Sequence, residues 1–162
     1  MIPLIRNVFV FDMDNTLLST DGSRIVVRPY ADAILNSLSK KTHNYLVLWS
    51  AGTRNYVFNV LAALNWFFYF KLILTREDCT QSQSLYNEFK SCRYVRKKIS
   101  TFVNPITLHK IKFILIDDRA NEMEEVTRRG GVASKYDVKI NISPFYGQGP
   151  DLELFNALKP YI

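Results

Sequence analysis

The chain has 162 residues, 48% of them hydrophobic and 22% charged, which is the make-up of one soluble globular domain with room for a real core. A net charge of +6 and a pI near 9.3 point to an acidic partner such as a phosphoprotein, a nucleic acid or a phospholipid, without choosing among them. The longest apolar stretch, Val57–Phe70, is broken by Asn59 and Asn65 and falls short of the ~20 residues that span a bilayer, and Met1–Phe11 runs straight into a strand with no secretory signal. The expectation is a soluble intracellular protein, nuclear or cytoplasmic, without a membrane partner.

In chain order, Val8–Phe11 reads as a buried strand that stops at Asp12 and Asp14. A polar turn, Ser19–Arg24, follows. Pro29 stands where a helix begins, with Ala31, Ile34, Leu35 and Leu38 at helical spacing. Tyr45–Trp49 is a second strand, ending in Ser50-Ala51-Gly52-Thr53, and a helix with Tyr56, Val57, Val60, Leu61 and Leu64 on one face comes next. Lys71–Leu74 is a third strand. Phe113–Ile116 is a fourth, ending in Asp117 and Asp118 and leading to a charged helix, Ala120–Arg129, stopped by Gly130-Gly131. Val138–Ile142 is a fifth strand and Asp151–Leu158 a closing helix. Strands alternating with helices predict an α/β domain, a parallel central sheet with helices on both faces. The polar stretch Arg76–His109 interrupts the alternation and reads as a small insertion carrying short β structure.

The chemistry lies in the two acidic strand ends. Side chains alternate along an extended chain, so Asp12 and Asp14 can share a side. Ligands of a parallel sheet bind at the strands' carboxyl ends, where Asp117 and Asp118 also fall. Pooled carboxylates suit a hard divalent cation, Mg²⁺ above all. A strand-end carboxylate can attack phosphorus, provided it is ionised, a metal neutralises the phosphoryl oxygens, donors hold the remainder and an acid serves the leaving group. Asp12 fits as nucleophile, Asp14 as acid/base, Ser50 as a phosphate donor, Lys97 or Lys98 as the cation, and Asp118 with Asp117 as the metal cage.

This order of DxDxT, Ser, Lys and DD closely resembles the haloacid dehalogenase superfamily of phosphatases over nearly the whole chain. Arg28-Pro29-Tyr30, Trp49-Ser50-Ala51-Gly52-Thr53-Arg54-Asn55-Tyr56, Ile73-Leu74-Thr75-Arg76-Glu77-Asp78-Cys79 and Ile116-Asp117-Asp118-Arg119 look like its FCP/SCP branch, which removes phosphate from serine and threonine in proteins, notably the C-terminal tail of RNA polymerase II. The resemblance implies a Rossmann-like three-layer core and an aspartyl-phosphate on Asp12. It implies Asp14 as general acid and then base, with a backbone carbonyl on Mg²⁺. Thr16 would steady the loop, Ser50 with Ala51 and Arg119 would meet substrate or phosphate, and Asp118 would ligate the metal while Asp117 orients the lysine. Tyr94-Val95-Arg96-Lys97-Lys98-Ile99-Ser100 matches the family's lysine motif with a one-residue slip, which favours Lys97. Met13 and Asn15 depart from the commoner leucine and glutamate or glycine.

Roughly 30 residues separate Leu18 from Trp49, too few for a large cap, so an open site admitting a phosphorylated protein side chain is expected. A phosphatase of phosphotyrosine, nucleotides or polynucleotide ends and a catalytically silent binding module of the same fold are the competing readings. Cys79 and Cys92 read as free thiols, His43 and His109 as structural or exposed, Gly52 as a conformational glycine, and Trp66–Phe70 as partly core.

Overall fold

The computed structural model describes residues 4–123 and 135–162. Five parallel strands form the central sheet: β1 (Asn7–Phe11), β4 (Asn44–Trp49), β5 (Leu72–Leu74), β6 (Lys112–Asp117) and β7 (Val138–Asn141), in the order β5-β4-β1-β6-β7. Central strands of such a sheet are covered on both faces, which is why β1 has no polar position between Val8 and Phe11 and why all four side chains are fully buried. The pleat divides them. Phe9, Phe11, Leu46, Leu48, Ile114 and Ile116 face one layer, built from α1 (Ala31–Lys40), α2 (Arg54–Leu64) and α6 (Glu153–Leu158). Val8, Val10, Val47, Trp49, Phe113 and Leu115 face the other, built from α3 (Arg76–Tyr86) and α4 (Cys92–Ile99). The three-layer α/β/α architecture is the expected one.

Two local expectations are corrected. Residues 76–110 hold no strand; they form α3, α4 and a short α5 (Pro105–Lys110). Their capping chemistry is the reason. The Asp78 carboxylate accepts from the Thr75 backbone N–H at 2.7 Å, and Asn104 Oδ1 accepts from Thr107 N at 2.8 Å with Pro105 in the first turn. The β structure sits earlier, in what reads as a polar turn: β2 (Leu18–Asp21) and β3 (Arg24–Val27) pair as an antiparallel hairpin, with Gly22 at φ +60° in its tip. That hairpin and α1 are all that separates β1 from β4, so no large cap is inserted at that connection. The expected helix Ala120–Arg129 and its Gly130-Gly131 stop lie largely outside the described residues; Ala120–Glu122 is a single 3₁₀ turn.

Trp66, Tyr69 and Phe70 are buried while Phe67 and Phe68 are exposed, and Asp32 accepts from Trp66 Nε1 at 3.0 Å and from the Tyr69 hydroxyl at 2.9 Å. Cys79 and Cys92 are buried, and burial pushes the Cys79 thiol up to about 11, away from reactive chemistry. Among the described residues no helix is long and apolar enough to cross a membrane.

Candidate active site

Register puts the acidic strand ends side by side. Phe11 pairs with Leu48 on one side and Ile116 on the other, so the chain leaves the sheet at the same level at Asp12, Trp49 and Asp117. Asp12 N donates to Ile116 O at 2.9 Å, extending the ladder one residue. The chain then folds back on itself. The Met13 carbonyl accepts from Leu17 N at 2.9 Å, and Asn15 adopts φ 64°, a conformation asparagine tolerates better than most residues.

Thr16 is fully buried and joins the two strand ends. Its Oγ1 donates to Asp12 Oδ2 at 2.8 Å and accepts from Asp118 N at 3.0 Å. Asp12 Oδ1 takes a second bond, from Lys90 Nζ at 2.9 Å, and Lys90 also bonds Asp117 Oδ2 at 2.8 Å. Asp117 Oδ1 accepts from Arg119 N at 2.8 Å. Both oxygens of Asp12 and both of Asp117 are therefore fixed, and neither carboxylate can rotate freely.

The lysine that sequence reasoning places at the site is thus corrected. Lys90 is 3% exposed between two carboxylates, whereas Lys97 and Lys98 are exposed on the far turn of α4. Lys98 Nζ lies 5.4 Å from the Tyr94 ring centroid. Cys92, Val95 and Ile99 form the buried stripe of α4, and that spacing turns positions 97 and 98 outward. Lys90 belongs to the loop before α4. The Ser82 hydroxyl holds that loop, donating to Glu88 O at 2.6 Å and accepting from Ser91 N at 2.9 Å, while the Tyr136 hydroxyl donates to Lys90 O at 2.9 Å. The signal in the sequence was a single lysine between Phe89 and the helix-capping Ser91, away from the basic run. Burial works against charge on Lys90, but the carboxylates of Asp12 and Asp117 outweigh it and hold the ammonium above its ordinary range.

Asp14 stands apart from this lattice. Its Oδ1 accepts from the Tyr56 hydroxyl at 2.6 Å, and Tyr56 also meets Thr20 Oγ1 at 3.1 Å, tying the β2–β3 hairpin to α2. Burial raises the Asp14 carboxyl above its usual range; the Tyr56 bond opposes this and the Asp12 charge adds to it. Gly52 makes this contact possible, because a Cβ there would lie 2.7 Å from Tyr56 Cδ2; close approach, rather than an unusual φ, is what this glycine serves.

Ser50 is buried at the end of β4. Its Oγ accepts from Gly52 N at 3.0 Å, which occupies a lone pair and leaves the hydroxyl proton uncommitted by that bond. Ala51 contributes a carbonyl that accepts from Arg76 Nε at 3.0 Å. Arg119 turns away from the cluster into an exposed ion pair with Glu122 at 2.6 Å, so its side chain acts at a helix start and only its backbone N–H serves the site.

Asp12, Asp117 and Asp118 bring carboxylate oxygens within 4.8 Å of one another, a donor set of hard oxygens that fits Mg²⁺. With Lys90 as the one cation among these three carboxylates within the described residues, ionisation of all three leaves a charge of about −2, which a divalent ion balances. Burial, followed by the proximity of Asp12 and Asp117, pushes the Asp118 carboxyl up to about 7. The folded value lies above that of an unfolded aspartate, so ionising Asp118 costs stability as pH rises toward 7 in the metal-free protein. A cation must displace that proton, and its binding therefore strengthens with pH. Thermal melts with Mg²⁺ and with EDTA should accordingly show a larger Mg²⁺-induced rise in Tm at pH 8 than at pH 6. Equal rises at the two pH values, or none at either, would be incompatible with this cation site.

A parallel sheet with acidic pairs on two adjacent strand ends, a serine on the next and a buried lysine bridging the acids defines a phosphatase core of the haloacid dehalogenase type. Among solved structures, a β-phosphoglucomutase homologue from Thermotoga maritima superposes with a TM-score of 0.54 at 11% identity, covering 96% of this chain and 100% of that one, which supports the fold. The 3-deoxy-D-manno-octulosonate 8-phosphate phosphatase of Moraxella catarrhalis is also similar, with a TM-score of 0.49 and 12% identity over 97% of this chain and 87% of that one. A comparison with curated protein sequences finds no match. The profile of the NLI interacting factor-like phosphatases matches residues 7–162, and the chain belongs to that family.

Proposed function

We propose that the protein is a Mg²⁺-dependent phosphatase of phosphoserine and phosphothreonine in proteins, acting through an aspartyl-phosphate on Asp12. The observation that carries this reading is the division of labour between the two first-motif acids. Asp12 is locked by Lys90 and Thr16 and kept beside a cation, as a nucleophile must be. Asp14 bonds a neutral phenol and has its carboxyl raised toward the protonated form, as an acid must have.

In the first step an Asp12 oxygen bonds to phosphorus as the bond from phosphorus to the serine or threonine oxygen breaks, and protonated Asp14 gives its proton to that leaving oxygen. In the second, Asp14, now a carboxylate, takes a proton from a water that attacks phosphorus, releasing phosphate and restoring Asp12. Lys90 and the Ser50 hydroxyl stabilise the charge on the phosphoryl group. Asp12, Asp118 and the Asp14 carbonyl, with Asp117 behind them, would hold Mg²⁺, and the bound ion would neutralise charge on the phosphoryl oxygens.

The lack of a large cap between β1 and β4 favours a substrate that brings its own bulk, a protein side chain rather than a free metabolite. The intact carboxylates and the bridged lysine weigh against a silent binding module. The test is a panel of phosphoserine, phosphothreonine and phosphotyrosine peptides, para-nitrophenyl phosphate and a phosphorylated oligonucleotide, each with Mg²⁺ and with EDTA. The highest kcat/KM is expected on a phosphoserine or phosphothreonine peptide, and none with EDTA. A preference for the oligonucleotide end, or turnover indifferent to EDTA, would sink the proposal.

A further inference from the structure

Away from the carboxylates, a shallow, open depression of about 400 Å³ lies along α4 and α5, lined by Arg93, Arg96, Lys97 and His109, with Tyr86 and Ser100 among the remaining walls. Among the described residues no aspartate or glutamate lines it. A run of surface cations on one convex face is normally just solvated, with mobile heads. Here the run borders a hollow, and two guanidinium groups are held in place. Arg93 Cζ lies 5.3 Å from the centroid of the Tyr86 ring, and Arg96 Cζ lies 4.1 Å from that of Phe113. Asp137 reaches Arg96 at only 3.8 Å and already spends the same oxygen on Phe113 N at 2.7 Å. Among the described residues, buried Arg96 Nε has no hydrogen-bond partner. An oriented, underneutralised pair of guanidinium groups beside a lysine is the chemistry that recognises a phosphate dianion.

The hollow lies down the side of the sheet from the active site, since Arg96 packs on Phe113, four positions before Asp117 on β6. Arg93 follows Lys90 by three positions, and α4, from Cys92 to Ile99, extends about 12 Å from there. An extended peptide covers that distance in about four to six residues.

We propose that the α4–α5 hollow is a second phosphate-binding site, taking another phosphorylated side chain of the polypeptide whose scissile phosphate is bound at Asp12. The inference rests on the phosphoprotein reading above and names the class of substrate that reading leaves open: chains phosphorylated at more than one position, about five residues apart. It also gives the excess basic charge of the chain a use.

The test measures binding and turnover separately. Fluorescence anisotropy on Asp12→Asn protein compares peptides carrying one phosphoserine with peptides carrying a second, about five residues to either side. The second phosphate is expected to tighten binding about tenfold on one side, and Arg93→Glu/Lys97→Glu to reduce that preference to about one. Both positions are at least partly exposed, so the fold should survive; melting curves check this, and Lys97→Gln serves if the double variant does not fold. Equal affinity for singly and doubly phosphorylated peptides would overturn the proposal, as would a preference that survives charge reversal. A single-stranded oligonucleotide of equal charge displacing the peptide at lower concentration would overturn it too, assigning the hollow to nucleic acid. Turnover by the unsubstituted enzyme is read alongside. Tenfold tighter binding without any turnover would refute the phosphatase reading and keep the site, whereas turnover without the preference would do the reverse.

Discussion

Lys90→Met is expected to cost both folding stability and turnover, because the ammonium is the shared counter-ion of Asp12 and Asp117, at 2.9 and 2.8 Å. Methionine keeps the length and volume of the side chain, so little packing is lost. What is lost is charge: two carboxylates, one of them 2% exposed and the other 10%, are left facing each other across the space the ammonium filled. Removing one partner of a buried ion pair typically costs about 3–5 kcal/mol, a large share of the ~5–15 kcal/mol that holds a domain together. For a chain of this size that corresponds to a fall in Tm of roughly 6–20 °C. Catalysis should fall with it, since Asp12 loses the bond that aims one of its oxygens and the phosphoryl group loses a positive neighbour. Lys98→Met is the matched control, a surface lysine over the Tyr94 ring, and should stay within about 1 kcal/mol of the parent. Denaturant titrations and initial rates on the three proteins decide the matter. Equal stability of Lys90→Met and Lys98→Met would show that the buried bridge contributes nothing.

Asp12→Asn should remove turnover, by more than about a thousandfold, and leave the protein folded. The amide preserves shape and can still accept from Thr16 or Lys90, but it is too weak a nucleophile to form the acyl-phosphate. Folding should tolerate the change because it withdraws one negative charge from a set of three carboxylates whose oxygens lie within 4.8 Å of one another. The same removal should weaken Mg²⁺ binding, so the Mg²⁺-induced rise in Tm should shrink. Acid quenching of the unsubstituted enzyme during turnover, followed by peptide mass mapping, should find a phosphoryl group on the peptide containing Asp12 and none in the variant. A phosphoryl group on another residue, or rates within tenfold of the parent, would remove Asp12 from the nucleophile's place.

The two predictions differ in what they owe to the sequence. Asp12 is legible there because its signal is local: four strand-forming apolar residues stop at a carboxylate, and the same pattern recurs at Asp117. Parallel sheets align such strand ends, so two local patterns were enough to infer one shared site. Thr16 and Ser50 followed from their places in the ordered motifs, and the strands β1, β4, β5, β6 and β7 from their apolar runs. The insertion was less well read, although Thr75 with Asp78 and Asn104 with Pro105 are helix-start chemistry present in the sequence; the polar composition of the stretch hid them.

Sequence alone therefore determined the sheet, the carboxylates and the class of chemistry, because strand periodicity and strand-end charge are properties of neighbouring residues. Only the tertiary structure decided which lysine completes the site. Lys90 lies 78 positions from Asp12 and 27 from Asp117, and no spacing rule connects them. It meets them because the apolar stripe of α4 packs against the sheet, turning Lys97 and Lys98 to solvent and leaving Lys90, two residues before the helix, buried under the strand ends. A charge buried that deeply is stable only between opposite charges, and where those charges converge is fixed by packing across the whole fold.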